Sequence, residues 1–312
     1  MDEKARVVTS GPLQGCYVGI SVSESETSSA HGFPTTQVNR VTFDISAALL
    51  GQGARVVFGH DWRPDGVMEA IFRIALLMAP EVPPTDGEPA MQNLLPWPPE
   101  RLYLGGEEQN RLSHVLKIRQ LRLPEELSEY SEGDLKDGPL KKYLRARGLT
   151  YLRHELNEHV SARLCFGGRT SDYQGRYPGI FEEAYFAVKA KKPLYLAGSF
   201  GGATMLLIDA IMGKEMPKDL AKESSEKQAL YAKYAALEQR EDIERDRVVD
   251  LNEIWSTFQK LGLVGLSACN RLTEAENRAL FDGLVLEQTI HLILAGVGRL
   301  RRNSTGPAHI PE

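Results

Sequence analysis

The sequence predicts an α/β fold, three layers built on a mostly parallel sheet, with a helical extension at the C-terminal end. Three observations carry this prediction. Short apolar runs alternate with segments of helical spacing between Tyr17 and Ile211; glycine pairs stand where such runs hand over to helices, at Gly167-Gly168 and Gly201-Gly202; and beyond Met216 dense charge and helical spacing take over.

Tyr17-Val-Gly-Ile-Ser-Val22 is a compact apolar run that ends in Ser23-Glu-Ser-Glu-Thr-Ser-Ser29, a first strand opening into a long polar loop. Val41, Ile45, Ala48 and Leu49 follow at helical spacing, Gly51 and Gly53 stop that helix, and Ala54 to Phe58 is the next strand, so a β-α-β unit opens the chain. A second helix is predicted from Val67 to Met78 with Met68, Ile71, Ile74 and Ala75 inward, and its N-terminus could hold a phosphate-sized anion. Pro80 to Pro99 is proline-rich and polar and reads as a surface segment; Leu102 to Leu104 reads as a short strand, and Glu107 to Gly138 has no assignment. Thr150 to Val160 reads as a helix, Ala162 to Phe166 as a buried strand, Ile180 to Ala190 as a helix and Pro193 to Leu196 as a strand, after which Gly198 to Thr204 opens a helix through Ile211. Lys218 to Arg247 is charged, with Glu241 and Arg245 at i,i+4 and one apolar stripe at Leu230, Tyr234 and Leu237. Thr273 and Glu276 form a capping box for a last helix whose face uses Leu280, Leu284, Ile290 and Leu294.

A length of 312 residues, 42% hydrophobic and 25% charged, suffices for one large or two small domains with a real core. The net charge of -5 and the absence of a sizeable basic patch argue against a long nucleic-acid partner. Cys16, Cys165 and Cys269 are odd in number, far apart and set in apolar segments, the pattern of reduced structural thiols in a cytoplasmic protein. The first residues are acidic without an apolar leader, and no run reaches membrane-spanning length, so neither export nor a membrane is expected. No His, Cys, Asp or Glu set has zinc-ligand spacing, and no cysteine has an obvious histidine partner; no metal or other cofactor is expected.

The chemistry concentrates between Cys165 and Ala184, where glycines, Arg169, Arg176 and the carboxylates of Glu182 and Glu183 gather at the junction of a strand and a helix, at the carboxyl edge of a parallel sheet. Arg169 and Arg176 suit bidentate pairing with phosphate, and Glu182 and Glu183 ride the start of the helix, from which they reach back over the loop; the bland alternative is a turn whose charges pair with each other. Gly201 and Gly202 serve either phosphate binding or a close helix-to-sheet contact. Ser21, Ser23 and Ser25 follow the first strand, within reach of a phosphate or ribose there, or are plain loop residues. Arg63 and Asp65 are either ligand contacts or a surface pair, and His31 and His60 either general acids or hydrogen-bonding loop residues.

Two segments carry a family resemblance. Leu49-Leu-Gly-Gln-Gly-Ala-Arg-Val-Val-Phe-Gly-His60 with Asp65-Gly-Val-Met68 resembles a helix, a strand ending in Gly-Gly and a Gly-Leu-Met turn, and Gly167-Gly168 with Gly179-Ile-Phe-Glu-Glu183 resembles Pro-Gly-Gly-x-Gly-Thr-x-x-Glu split by about ten residues. On these motifs, over roughly residues 17–78 and 160–212, the chain resembles the SLOG superfamily. That Rossmann-like group includes the LOG cytokinin-activating enzymes, the DNA-processing protein DprA, and nucleotide-sensing domains that accompany TIR and SIR2 proteins in bacterial defence. By this resemblance Glu183 matches the motif glutamate and Gly167, Gly168 and Gly179 the phosphate-cradling glycines, while Ile180 replaces the motif threonine and His60 stands where the family often has glycine. Gly59, His60, Arg63 and Gly66 are the ligand-side candidates of the first segment. The long arginine-bearing loop resembles the defence-associated SLOG clusters, for which the implied ligand is a nucleotide signal derived from NAD or ADP-ribose.

The expected organisation is a nucleotide-binding domain over residues 1–214, with 80–138 as an unassigned insertion, a helical region over 215–300 packed on it and a mobile tail over 301–312. Three functional readings stay open. The chain is a sensor that binds a nucleotide and signals to an effector encoded nearby; or an N-glycosidase in which Glu183 stabilises a ribosyl cation or activates water while Arg169 anchors phosphate; or a structural subunit in which the glycine loops serve the fold. The partners expected are a small nucleotide, an effector protein and, through the helical region, a second copy of the chain.

Overall fold

A computed structural model describes residues 11–26, 35–59, 62, 66–79, 88–99, 105–134, 138–234, 250–283 and 285–304. In chain order the elements are β1 (Tyr17–Ser23), α1 (Thr35–Gly51), β2 (Arg55–Phe58), α2 (Val67–Met78), β3 (Met91–Leu95), α3 (Gly106–Leu112), β4 (Leu116–Gln120), α4 (Pro139–Glu158), β5 (Ala162–Gly167), α5 (Gly179–Lys189), β6 (Leu194–Ala197) and α6 (Gly202–Ile211). The helical region adds α7 (Lys218–Tyr231), α8 (Leu251–Asn270), α9 (Glu274–Asp282) and α10 (Leu286–Ser304).

The six strands form one all-parallel sheet in the order β4-β3-β2-β1-β5-β6. The first four strands wind outward from β1, and α4 carries the chain back to place β5 on the other side of β1. This reversal makes the β1–β5 junction the topological switch point, where open parallel sheets bind ligands beyond their carboxyl ends. There Ser23 lies opposite Gly167.

Alternation of side chains along the strands divides the core between two faces. Val18, Ile20, Val22, Phe58, Leu164, Phe166, Tyr195 and Ala197 pack in one cluster with α1, α2 and the C-terminal residues Leu280, Leu292, Ile293 and Val297. Cys165, Leu194 and Leu196 face the other way, against α5, α6 and the α8 residues Ile254, Trp255 and Phe258. Toward the β3 side, Val57 and Leu94 meet Leu152 and Leu156 of α4. The result is a Rossmann-like three-layer α/β fold with C-terminal helices built into both cores.

Several expectations need correction. The segment 80–99 is not simply a surface excursion: it contains β3, buried along its whole length, and 107–138 contributes β4. The prolines and the polar pair Gln92-Asn93 masked a strand whose flanks, rather than its interior, are turn-like. Helices α1 and α4 begin earlier than their apolar spacing suggests, at Thr35 and Pro139. The single last helix is two, because Gly283 adopts φ 53° and caps α9. Leu102 to Leu104, Leu237, Glu241, Arg245, Leu284 and most of the tail lie outside the described residues. The capping box of Thr273 and Glu276 is present, and the three cysteines are free thiols. Among the described residues no helix is long and apolar enough to cross a membrane.

Candidate functional site

Two glycine pairs close the switch point. Gly167 and Gly168 have φ of 67° and 99°, and Gly201 and Gly202 have φ of 63° and 61°, values that side chains rarely tolerate. A Cβ on Gly167 would come within 2.3 Å of the Ser23 carbonyl oxygen, and one on Gly202 within 2.2 Å of the Gly168 carbonyl oxygen. The pairs back onto each other and onto the end of β1. The Gly168 N–H donates to Ser23 O at 2.9 Å, and the Ala203 N–H donates to Gly168 O at 2.9 Å. Close packing thus accounts for Gly167 and Gly202, and the Gly168 amide is turned inward. Ser25 joins them, its hydroxyl donating to Phe200 O at 2.7 Å.

The amides that do hold an anion lie just beyond. The Thr170 and Ser171 N–H groups donate to the Glu26 carboxylate at 3.0 and 2.9 Å, and the Ser171 hydroxyl adds a bond of 2.8 Å. Asp172 next in the chain has φ 48°, so the loop curls its amides into a concave anion nest. Burial raises the Glu26 carboxyl, but hydrogen bonds from its own backbone and from Ser171 and Thr170 outweigh that and hold it below the ordinary carboxylate range. Glu26 is the resident anion of the loop.

Behind the glycines sits a charged network. Glu182 is buried: Thr150 Oγ1 donates to Oε1 at 2.6 Å and Arg153 Nη1 donates to Oε2. Glu183, with 15% of its side chain exposed, accepts at Oε2 from Arg163 Nη1 at 2.9 Å and from the Ser21 hydroxyl. Arg163 Nη1 also donates to Ser21 Oγ at 2.8 Å, and Arg153 Nε lies 3.8 Å from Glu183 Oε1. Room for the Arg153 guanidinium comes from glycines. A Cβ on Gly179 would lie 2.8 Å from Arg153 Nη2 and one on Gly175 2.7 Å from Arg153 Nη1. Arg163 is 1% exposed, and its Nε and Nη2 have no hydrogen-bond partner among the described residues. Cys165 on the same strand is no nucleophile: burial pushes its thiol up to about 12, with Arg163 pulling the other way.

The structure therefore brings Ser21, Ser23, Gly167, Gly168, Gly202 and Glu183 to one edge, while Glu182 is held by α4. Arg169 is exposed at the loop. Arg176 is 3% exposed and lies over the Tyr231 ring, 5.4 Å from its centroid, covered by α7. Lys227 of α7 adds a bond to Tyr173 O, and Tyr231 OH donates to Gly175 O at 3.3 Å, so α7 pins the inserted loop. Gly59 packs against α4, where a Cβ would lie 2.4 Å from Leu156 Cδ1, and Gly66 is the extended N-cap of α2. His31, His60, Arg63 and Asp65 lie outside the described residues.

Sequence reasoning missed Thr150, Arg153, Arg163 and Glu26. Only Arg163 left a signal: a charge inside the apolar run Ala162 to Phe166 must find a partner once the strand is buried. Arg153 is one of many cations on a long polar helix, and Glu26 one of two acids in a serine-rich loop.

On the opposite face of the sheet, at the same edge, a cavity of about 150 Å³ lies between α1, Phe166 and Phe200, and α10. A family model described as SLOG cluster2 matches residues 12–280. No curated protein matches the chain.

Proposed function

The chain belongs to the SLOG cluster2 family, and from that premise we propose that it binds a nucleotide-type ligand, NAD- or ADP-ribose-derived or a cyclic nucleotide, at the carboxyl edge of β1 and β5. It acts there as the sensor or regulatory component of a prokaryotic defence or stress system. The observation that carries this reading is Glu183: a partly exposed carboxylate at the switch point, set by Ser21 and Arg163 beside the Ser23–Gly167 junction. Such a carboxylate suits ribose hydroxyls, which need a fixed acceptor. Arg169, exposed on the loop, is the cation assigned to phosphate in this reading.

The same geometry weighs against hydrolysis. Glycoside cleavage commonly uses two carboxyl groups, one to protonate the departing base and one to stabilise or attack the sugar. Here Glu182 is committed to Thr150 and Arg153, and Glu183 oxygens already face two guanidiniums and a hydroxyl. A binding role asks only that Glu183 stay where it is.

The test is incubation with NAD, ADP-ribose, cyclic ADP-ribose isomers and nucleoside monophosphates, following melting temperature and released base together. A sensor is stabilised by one of them without turnover; at a hundredfold excess over Kd the gain is about 2.7 kcal/mol, a rise of roughly 4 °C for a chain of this size. Glu183→Gln is expected to retain binding with modest loss. Base release that disappears in Glu183→Gln would instead establish an N-glycosidase, and silence in both readouts would leave the glycine turns as fold features only.

A further inference from the structure

The cavity on the α1 side of the edge is walled by two kinds of chain. Val41 of α1 and the rings of Phe166 and Phe200, 5.5 Å apart and inclined by 45°, supply one side; Leu286 and Thr289 of α10 supply the other. Gln37, Ser199 and Thr289 bring an amide and two hydroxyls to an otherwise apolar lining. The cavity holds about 150 Å³ and is partly open to the surface at the carboxyl edge of the sheet. It is well below the roughly 300 Å³ at which pockets begin to hold drug-sized molecules, so it accommodates one flat ring system and not a whole nucleotide.

The cavity adjoins the glycine turn. Phe200 Cβ lies 3.6 Å from the place a Cβ on Gly167 would occupy, and Ser25 is bonded to the Phe200 carbonyl. The α10 wall is held firmly: a Cβ on Gly198 would lie 2.1 Å from Phe281 O, and one on Gly283 would lie 2.9 Å from Ser199 Oγ, so the α9–α10 corner is wedged onto the turn after β6.

We propose that this cavity is the base subsite: it takes the heteroaromatic ring of a nucleotide whose sugar and phosphate lie on the Ser23–Gly167 edge, with the α9–α10 corner as its outer wall. This rests on the edge being a nucleotide site. Aromatic and aliphatic walls stack a flat ring, and the Gln37 amide and the two hydroxyls meet its polar rim. Because the wall is C-terminal, occupancy of the cavity bears directly on α9 and α10, which gives the helical region a physical route to report the ligand.

The test compares AMP, ADP-ribose and ribose 5-phosphate by calorimetric titration of the full chain, with hydrogen exchange in α10 followed for each. At least one base-containing ligand is expected to bind tenfold or more tightly than ribose 5-phosphate and to slow exchange in α10, whereas ribose 5-phosphate leaves α10 unchanged. Val41→Phe, which fills the cavity from α1, and Thr289→Leu, which crowds it from α10, are expected to abolish that tenfold advantage while preserving binding of ribose 5-phosphate. A nucleotide that binds with α10 exchange unchanged, or with its advantage intact in a folded Val41→Phe or Thr289→Leu variant, overturns the base subsite while leaving the edge reading standing. Failure of these three ligands, and of NAD and the cyclic ADP-ribose isomers titrated in the same way, removes the edge reading, and the subsite with it.

Discussion

Arg153 shows how a single side chain can set the state of two acids. Its guanidinium occupies space vacated by Gly175 and Gly179, donates to buried Glu182 and stands 3.8 Å from Glu183. Removing one member of a buried ion pair leaves the other uncompensated, so Arg153→Met is expected to cost about 3–5 kcal/mol in urea denaturation. A loss below about 1 kcal/mol would mean that the pair does not hold α4 to α5. At this scale the sequence was half legible. Glu183 was visible because it follows a glycine-rich strand end at the start of a helix, a local pattern; Glu182 differs by one position and faces α4 instead, because adjacent residues on a helix point about a quarter-turn apart. Arg176 was read from its charge and loop position, but its environment is made by Tyr231, 55 residues downstream.

Elements were legible where punctuation was local. The α9 N-terminus was marked by Thr273 and Glu276, and the structure adds a partner from α10: Arg299 donates to both Glu276 oxygens at 2.7 Å. The Arg299 hydrogen bonds, followed by that from the Thr273 backbone, bring the Glu276 carboxyl down to about 2, with burial opposing. A depressed carboxyl contributes stability that is complete above its ordinary value of 4.5 and is lost as pH falls toward 2. The group is partly solvated, so the loss expected is only about 1 kcal/mol across that window. Denaturant midpoints of the native chain and Glu276→Gln should converge as pH falls; curves that remain parallel would sink the assignment. β3 was hidden because a strand buried on both faces need not alternate, and its polar residues Gln92 and Asn93 read as loop without the sheet around them.

Over the whole molecule, the helical region is continuous with the sheet. Asn270 at the end of α8 donates to Leu194 O at 2.9 Å and to Asn277 Oδ1 at 2.8 Å, accepts from the Leu272 N–H at 3.0 Å, and its own carbonyl accepts from Tyr195 OH at 3.0 Å. Asn270→Leu would strand buried partners on β6 and on the α8–α9 turn, at an expected cost of about 3 kcal/mol. In that variant hydrogen-exchange protection of β6 and α8 should fall together; protection lost in α8 alone would make the helical region an independent unit.

The sequence by itself determined the α/β alternation, the parallel sheet and the placement of a glycine-rich edge, because periodicity, capping and turn residues act over a few neighbours, and its motifs carried the family resemblance. Only the tertiary structure decided which carboxylate faces the edge, which arginine is covered, that Glu26 fills the loop's amide nest, and that α10 walls a cavity beside β5. Those outcomes depend on contacts between segments separated by many tens of residues, where shape and the need to satisfy buried charge select the partner and no local pattern records the choice.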